Sequence, residues 1–230
     1  MKARLMAVLA LALFFSAVSL YAGEEVTLKT QKDKLSYVIG VQVGKDLKNQ
    51  SIDVDPALVN KGLQDSILGN KLLMTDQETK DFIAAYQKEK AAKVAEEKKK
   101  LGEKNKQEGD AFLAENKTKA GVKTLPSGMQ YRVIKEGNGR TPKATDTVVT
   151  QYKGTLINGT EFDSSYRRNE PATFPVSGVI RGWTEALQLM KEGSKWQIVV
   201  PPELAYGEQG AGPIGPNATL IFEVELVSVK

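Results

Sequence analysis

Leu220-Ile221-Phe222-Glu223-Val224-Glu225-Leu226 puts Leu220, Phe222, Val224 and Leu226 on one face and Glu223 and Glu225 on the other. A period of two is the signature of a half-buried strand. Upstream, Lys195 to Val200 and Asp146 to Leu156 read as further strands, and Met129, Tyr131 and Val133 alternate in the same way. Asn158-Gly159, both tolerant of positive φ, marks a hairpin after the second of these. One short helix interrupts them, from Gly182 to Met190, with Trp183, Leu187 and Met190 on one face. Strands with a single helix imply an antiparallel β-sheet wrapped around that helix, so the whole chain is of the α+β class.

Further upstream the period changes to that of a helix. Leu35, Val38, Ile39, Val43 and Leu47 fall at helical offsets. Asp55-Pro56 reads as an N-cap followed by proline at the first helical position, with Val59, Leu63 and Ile67 on one face and Gly69 as the stop. Thr75-Asp76-Gln77-Glu78 has capping-box spacing and opens a third, long helix whose apolar start is Phe82, Ile83 and Tyr86. So few residues in short helices bury too little apolar surface for an independent core. Sharing them with a second copy is the physical expectation, and packing on the C-terminal domain is the alternative.

Gln87 to Asp110 holds eight Lys and six acidic residues and little that is apolar beyond Val94 and Leu101. Glu89 with Lys93 and Glu96 with Lys100 are i,i+4 pairs worth about 0.3 kcal/mol each on a helix surface. A solvated helical rod is expected. A disordered linker competes, because Gly102 and Gly109 each cost about 1 kcal/mol inside a helix. Mixed signs and the lack of aromatic residues between Tyr86 and Phe112 speak against a nucleic-acid arm.

Lys2 and Arg4 precede the apolar run Leu5 to Ala17. The run is too short to span a bilayer, which takes about 20 residues. It fits a secretory signal peptide cleaved after Ala22, an uncleaved anchor being the competing reading. Removing the two cations takes the formal charge from +4 to +2, which gives no support to nucleic-acid binding. The 230 residues contain neither Cys nor His, which excludes disulfides, thiol nucleophiles, Cys/His zinc sites and imidazole bases.

Five motifs occur in the order and spacing of the FK506-binding-protein type of peptidyl-prolyl cis-trans isomerase: Tyr152-Lys153-Gly154, Phe162-Asp163-Ser164-Ser165, Val179-Ile180-Arg181-Gly182-Trp183, Ala205-Tyr206-Gly207 and Ala218-Thr219-Leu220-Ile221-Phe222. Residues 121–230 resemble that family. The upstream layout, with Leu35-Ser36-Tyr37-Val38-Ile39-Gly40, and the segment Gly212-Pro213-Ile214-Gly215-Pro216-Asn217 are similar to its macrophage infectivity potentiator subgroup. The resemblance implies a signal peptide at 1–22, a helical dimerisation domain at 23–75, a long charged connecting helix at 76–118 and an isomerase domain at 119–230.

The resemblance also implies the parts of a site. Trp183 would floor a proline pocket, with Tyr152, Phe162, Phe174, Val179, Ile180 and Phe222 as walls. Tyr206 would donate to a substrate carbonyl, as would the Ile180 N–H. Asp163 would be a buried group orienting the peptide, paired with Arg168, and Ile214 would contact the residue before proline. An aromatic residue is usual in the family where Ala172 stands. Taken singly, Phe162 or Phe222 reads as ordinary core.

Rotating an X-Pro bond makes no covalent bond and moves no net proton, so neither cofactor nor metal is expected. The implied partners are proline-containing unfolded or partly folded polypeptides, macrolides of the FK506 and rapamycin class, and a second copy of the chain. The implied setting is the periplasm or outer surface of a bacterium, with no integral span after cleavage. A chaperone holding unfolded chains between two arms is the alternative function.

Overall fold

The computed structural model describes residues 27–230, so the expected signal peptide lies outside the described residues. The chain divides after Thr75 into two units.

The first unit holds α1 (Gln31–Asn49) and α2 (Pro56–Leu68). Thr30 and Asp33 form a reciprocal capping box at the start of α1. The Asp55 carboxylate caps α2, and Gly69 ends it in the left-handed conformation at φ 68°. No residue of α1 is buried, and Leu35, Val38 and Ile39 are each more than half exposed. An apolar groove of about 570 Å³ runs between the two helices, lined by Val43, Leu47, Ile52, Val59 and Leu63 among others.

The second unit begins with α3 (Asp76–Asn116) and continues through β1 (Val122–Thr124), β2 (Gln130–Lys135), β3 (Thr147–Leu156), β4 (Glu161–Ser164), β5 (Ala172–Pro175), α4 (Arg181–Leu187), β6 (Lys195–Val200) and β7 (Leu220–Val229). All strand pairings are antiparallel, in the order β1-β2-β6-β7-β3-β4, and β5 pairs with the first part of β3. The long β3–β7 pairing runs from Val148 opposite Val229 to Leu156 opposite Leu220. The apolar face of β7 foreseen from its alternation is buried against α4: Leu220, Phe222, Val224 and Leu226 share one core with Trp183, Ala186 and Leu187. The helix is shorter than expected. It ends at Leu187, and Met190 reaches the core through a turn in which its N–H bonds to the carbonyls of Ala186 and Leu187.

The charged helix departs from the expected rod. Its first half is solvated and laced by Glu89–Lys93 at 2.7 Å and Glu96–Lys100 at 2.6 Å. Its second half is docked: Gly102, Gly109 and Asn116 are buried. A Cβ on Gly109 would lie 2.4 Å from Thr219 Oγ1, and one on Gly102 would lie 3.4 Å from Pro216. The two glycines that weaken a free helix are the places where this one meets the sheet domain.

Candidate active site

β3 is the organising element of the site. Gly154 stands opposite Asp163 of β4 on one side and Phe222 of β7 on the other. A Cβ there would come within 2.7 Å of the Phe162 ring and 2.9 Å of Phe222, so only glycine lets the two rings close over the strand. Two residues back, Tyr152 is locked to the segment after β4. Its N–H donates to Ser165 Oγ at 2.7 Å, and its carbonyl accepts from the Ser165 N–H at 3.0 Å. The buried Ser165 hydroxyl also bonds Gln151.

These constraints gather aromatic edges around one indole. Trp183, 4% exposed at the start of α4, is met nearly at right angles by Tyr152 at 5.2 Å, Phe222 at 5.4 Å and Phe174 at 6.0 Å, and Phe162 meets Phe222 edge-on at 5.5 Å. Edge-to-face contacts place positive ring edges against negative faces and hold the walls stiff. The cavity above them has a volume of about 540 Å³. Tyr152, Phe162, Asp163, Phe174, Val179, Ile180, Trp183, Tyr206 and Phe222 line it, so nine of the residues singled out from sequence are brought together. Gly178 and Ala205 line it too. Neither was given a role from the sequence, although Gly178 adjoins the motif that opens at Val179 and Ala205 opens the motif that contains Tyr206.

Two expected residues lie elsewhere. Ile214 is 6% exposed, belongs to the hydrophobic core and does not line the cavity; its backbone pairs with Ala211 in a tight turn that draws the side chain inward. Arg168 is not part of the lining either, but it reaches the site through Asp163. Its guanidinium donates to Asp163 Oδ1 at 2.5 Å and to the Tyr152 hydroxyl at 2.9 Å. Asp163 is 41% exposed rather than buried, because β4 is the edge strand of the sheet.

The polar rim has fixed charge. Burial on its own would raise the Asp163 pKa, but hydrogen bonds from Tyr152 and Arg168 outweigh it and hold the carboxyl below its usual range. Burial, helped by the bond to Asp163, lifts the Tyr152 phenol above its ordinary value. The arrangement offers a stiff apolar cleft with an ionised carboxylate at one edge and the half-exposed Tyr206 at another. Such a site suits a reaction that needs desolvation and orientation rather than proton transfer.

Residues 138–227 match the family model for FKBP-type peptidyl-prolyl cis-trans isomerase, and residues 32–133 match the domain amino terminal to FKBP-type peptidyl-prolyl isomerase. Over 215 residues the chain is 51% identical to the outer membrane protein MIP of Legionella longbeachae, covering 93% of this chain and 92% of that one. It is 48% identical over 204 residues to the peptidyl-prolyl cis-trans isomerase Mip of Coxiella burnetii, covering 88% and 89%. The crystal structure of FkpA from Escherichia coli superposes with a TM-score of 0.70 at 38% identity, covering 89% of this chain and 99% of that one.

Proposed function

The chain belongs to the FKBP-type peptidyl-prolyl cis-trans isomerases and is an enzyme of that class; from that premise we propose that it rotates X-Pro bonds of unfolded or partly folded proteins in the cavity over Trp183, in the periplasm or at the outer surface of a bacterial cell. The observation that carries the reading is the ring of edge-on aromatics with an ionised Asp163 at its rim.

Amide resonance sets a barrier of about 18–20 kcal/mol to rotation. The twisted amide has lost its charge separation and with it much of its hydration, so a dry cleft favours it over the planar ground state. Trp183 supports the proline ring, and Tyr152, Phe162, Phe174, Val179, Ile180 and Phe222 exclude water. The Tyr206 hydroxyl and the Ile180 N–H donate to substrate carbonyls, and Asp163, held by Arg168 and Tyr152, orients the peptide. Macrolides of the FK506 and rapamycin class compete for the same cavity. No step needs a proton to leave the substrate.

The bare apolar faces of the first unit support a homodimer through the N-terminal helices. Ile67 is 79% exposed and Leu58 64%, and α1 buries nothing. The same exposed residues favour a second activity, the holding of unfolded chains. Proline-limited refolding of a test protein, with and without rapamycin, separates the two: isomerase action is lost with the drug and holding is not. Refolding that is accelerated equally in its presence would refute catalysis in this cavity. Among the described residues no helix is long and apolar enough to cross a membrane.

A further inference from the structure

We propose that Asn105, on the docked half of α3, is a positioning residue for Tyr206, so that the connecting helix is a working part of the isomerase site. The inference rests on the reading of Tyr206 as a substrate contact.

Tyr206 opens a loop that runs to Asn217 and closes on itself. The Asn217 N–H donates to the Gly207 carbonyl at 2.9 Å, and the Gly210 N–H to the Tyr206 carbonyl at 3.2 Å. The neck of the loop therefore joins the residue after Tyr206 to Asn217. Asn217 itself stands at φ +52°, a left-handed conformation that asparagine tolerates better than most residues.

α3 grips that neck from outside. Asn105 Nδ2 donates to the Pro216 carbonyl at 2.8 Å, and the Asn217 side chain reaches back to the Gly102 carbonyl at 3.5 Å. One turn earlier Lys98 Nζ bonds Gln209 Oε1 at 2.8 Å, and on the far side Gly109 seats Thr219. Lys98, Gly102, Asn105 and Gly109 are four, three and four residues apart, so they form one stripe of the helix. Every turn of that stripe meets the segment from Gln209 to Thr219.

The consequence is mechanical. A loop with glycines at 207, 210 and 212, all at positive φ, has many conformations open to it, and an unheld Tyr206 would sample many directions. Of the helix contacts to the neck, only the Asn105 bond is a short hydrogen bond to backbone. It fixes Pro216, Pro216 carries Asn217, and Asn217 holds Gly207. The segment Gly212 to Asn217, which in the sequence marked the chain as similar to its subgroup, is the part of the loop the helix holds.

The test is a double-mutant cycle on the full-length protein with a short proline peptide. A misplacement of about 1 Å can cost up to about 10²-fold, so a loosened loop is expected to lower kcat/KM roughly fivefold in Asn105→Ala. Asn105→Asp keeps the shape and removes the donor, and it should lose as much, which guards against a fold defect in the alanine variant. In a Tyr206→Phe background either change should have no further effect, since the hydroxyl being aimed is gone. Losses that multiply in the double variant would reduce Asn105 to a structural role and overturn the proposal. So would full activity of both Asn105 variants when Tyr206→Phe alone is impaired. If Tyr206→Phe is itself silent, the assignment of Tyr206 fails first and the proposal falls with it.

Discussion

The Tyr152 hydroxyl donates to Asp163 Oδ2 at 2.5 Å. Arg168 stands over the Tyr152 ring at 5.6 Å and bonds both groups. The carboxylate is thus oriented before any peptide arrives, and the cavity wall and the polar rim share one residue, Tyr152.

Asp163→Ala and Tyr206→Phe should each lower kcat/KM by roughly tenfold, the loss of one hydrogen bond worth about 1–1.5 kcal/mol. The fold should survive, as judged by near-ultraviolet circular dichroism. Full activity of both variants on a short proline peptide would show that the site has been misplaced.

Activity should change little between about pH 6 and 9, since the chain has no imidazole and the mechanism no general base. Stability should show two edges. The folded-state pKa of Asp163 is depressed, so its contribution is present above the unfolded value of about 3.9 and lost as pH falls through the folded value. The Tyr152 pKa is raised, so its contribution is complete below about 10 and lost as pH rises through the folded value. Both effects are softened by solvent at the exposed carboxylate. A bell-shaped activity profile centred near neutrality would contradict a mechanism without a general base.

Gly109→Ala should destabilise the second unit by about 1–3 kcal/mol, an overpacking cost. In an exposed helix the same change gains about 1 kcal/mol. The sign is reversed because the methyl would meet Thr219 Oγ1 at 2.4 Å. Trp183 and Trp196 both lie in that unit, so urea unfolding followed by tryptophan fluorescence reports on it alone. A raised midpoint would mean that the helix is not seated there.

Ala172→Phe should tighten macrolide binding. Ala172 of β5, two residues before the cavity-lining Phe174, pairs with Thr150 of β3, and a ring there would extend the same wall. Unchanged or weaker binding by calorimetry would mean that the ligand does not touch this side.

A fragment beginning near Ala91 keeps the docked half of α3. It should be monomeric by sedimentation and nearly fully active on short peptides, yet poor at refolding a proline-limited protein. Two linked pockets raise apparent affinity for a long substrate by roughly 10²–10⁴ through effective concentration. Equal refolding activity at equal pocket concentration would assign the N-terminal helices another purpose.

The sheet was legible because β7 and β3 are long and sided, and the pocket because its aromatics sit in motifs with a fixed order. β4 was signalled only by the hairpin at Asn158-Gly159 and β5 by nothing: each is only four residues long, too short to show a period, and their pairing is set by β3 rather than by their own residues. The seat of α3 was hidden for a different reason. Its stripe of Lys98, Gly102, Asn105, Gly109, Phe112 and Asn116 has helical spacing but only one large apolar residue. Hydropathy registers greasy stripes and passes over one made of glycine gaps and amides. Ile214 was expected to contact the residue before proline, whereas the turn at Ala211 directs it into the core.

The bond between Asn105 and Pro216 joins residues 111 positions apart. Helix α3 makes its own backbone bonds and can form as soon as its residues leave the ribosome. Its partners, Gln209 to Thr219, follow it in the chain and are synthesised well after it. Contacts of such long separation close late, since the loop entropy of the intervening chain must first be overcome. During synthesis the helix therefore waits with its glycine notches open, and the rim that carries Tyr206 sets only when Gln209 to Thr219 have been delivered. Setting of the rim is thus coupled to delivery of a segment far downstream, and chains truncated before Pro216 would retain the helix without its seat.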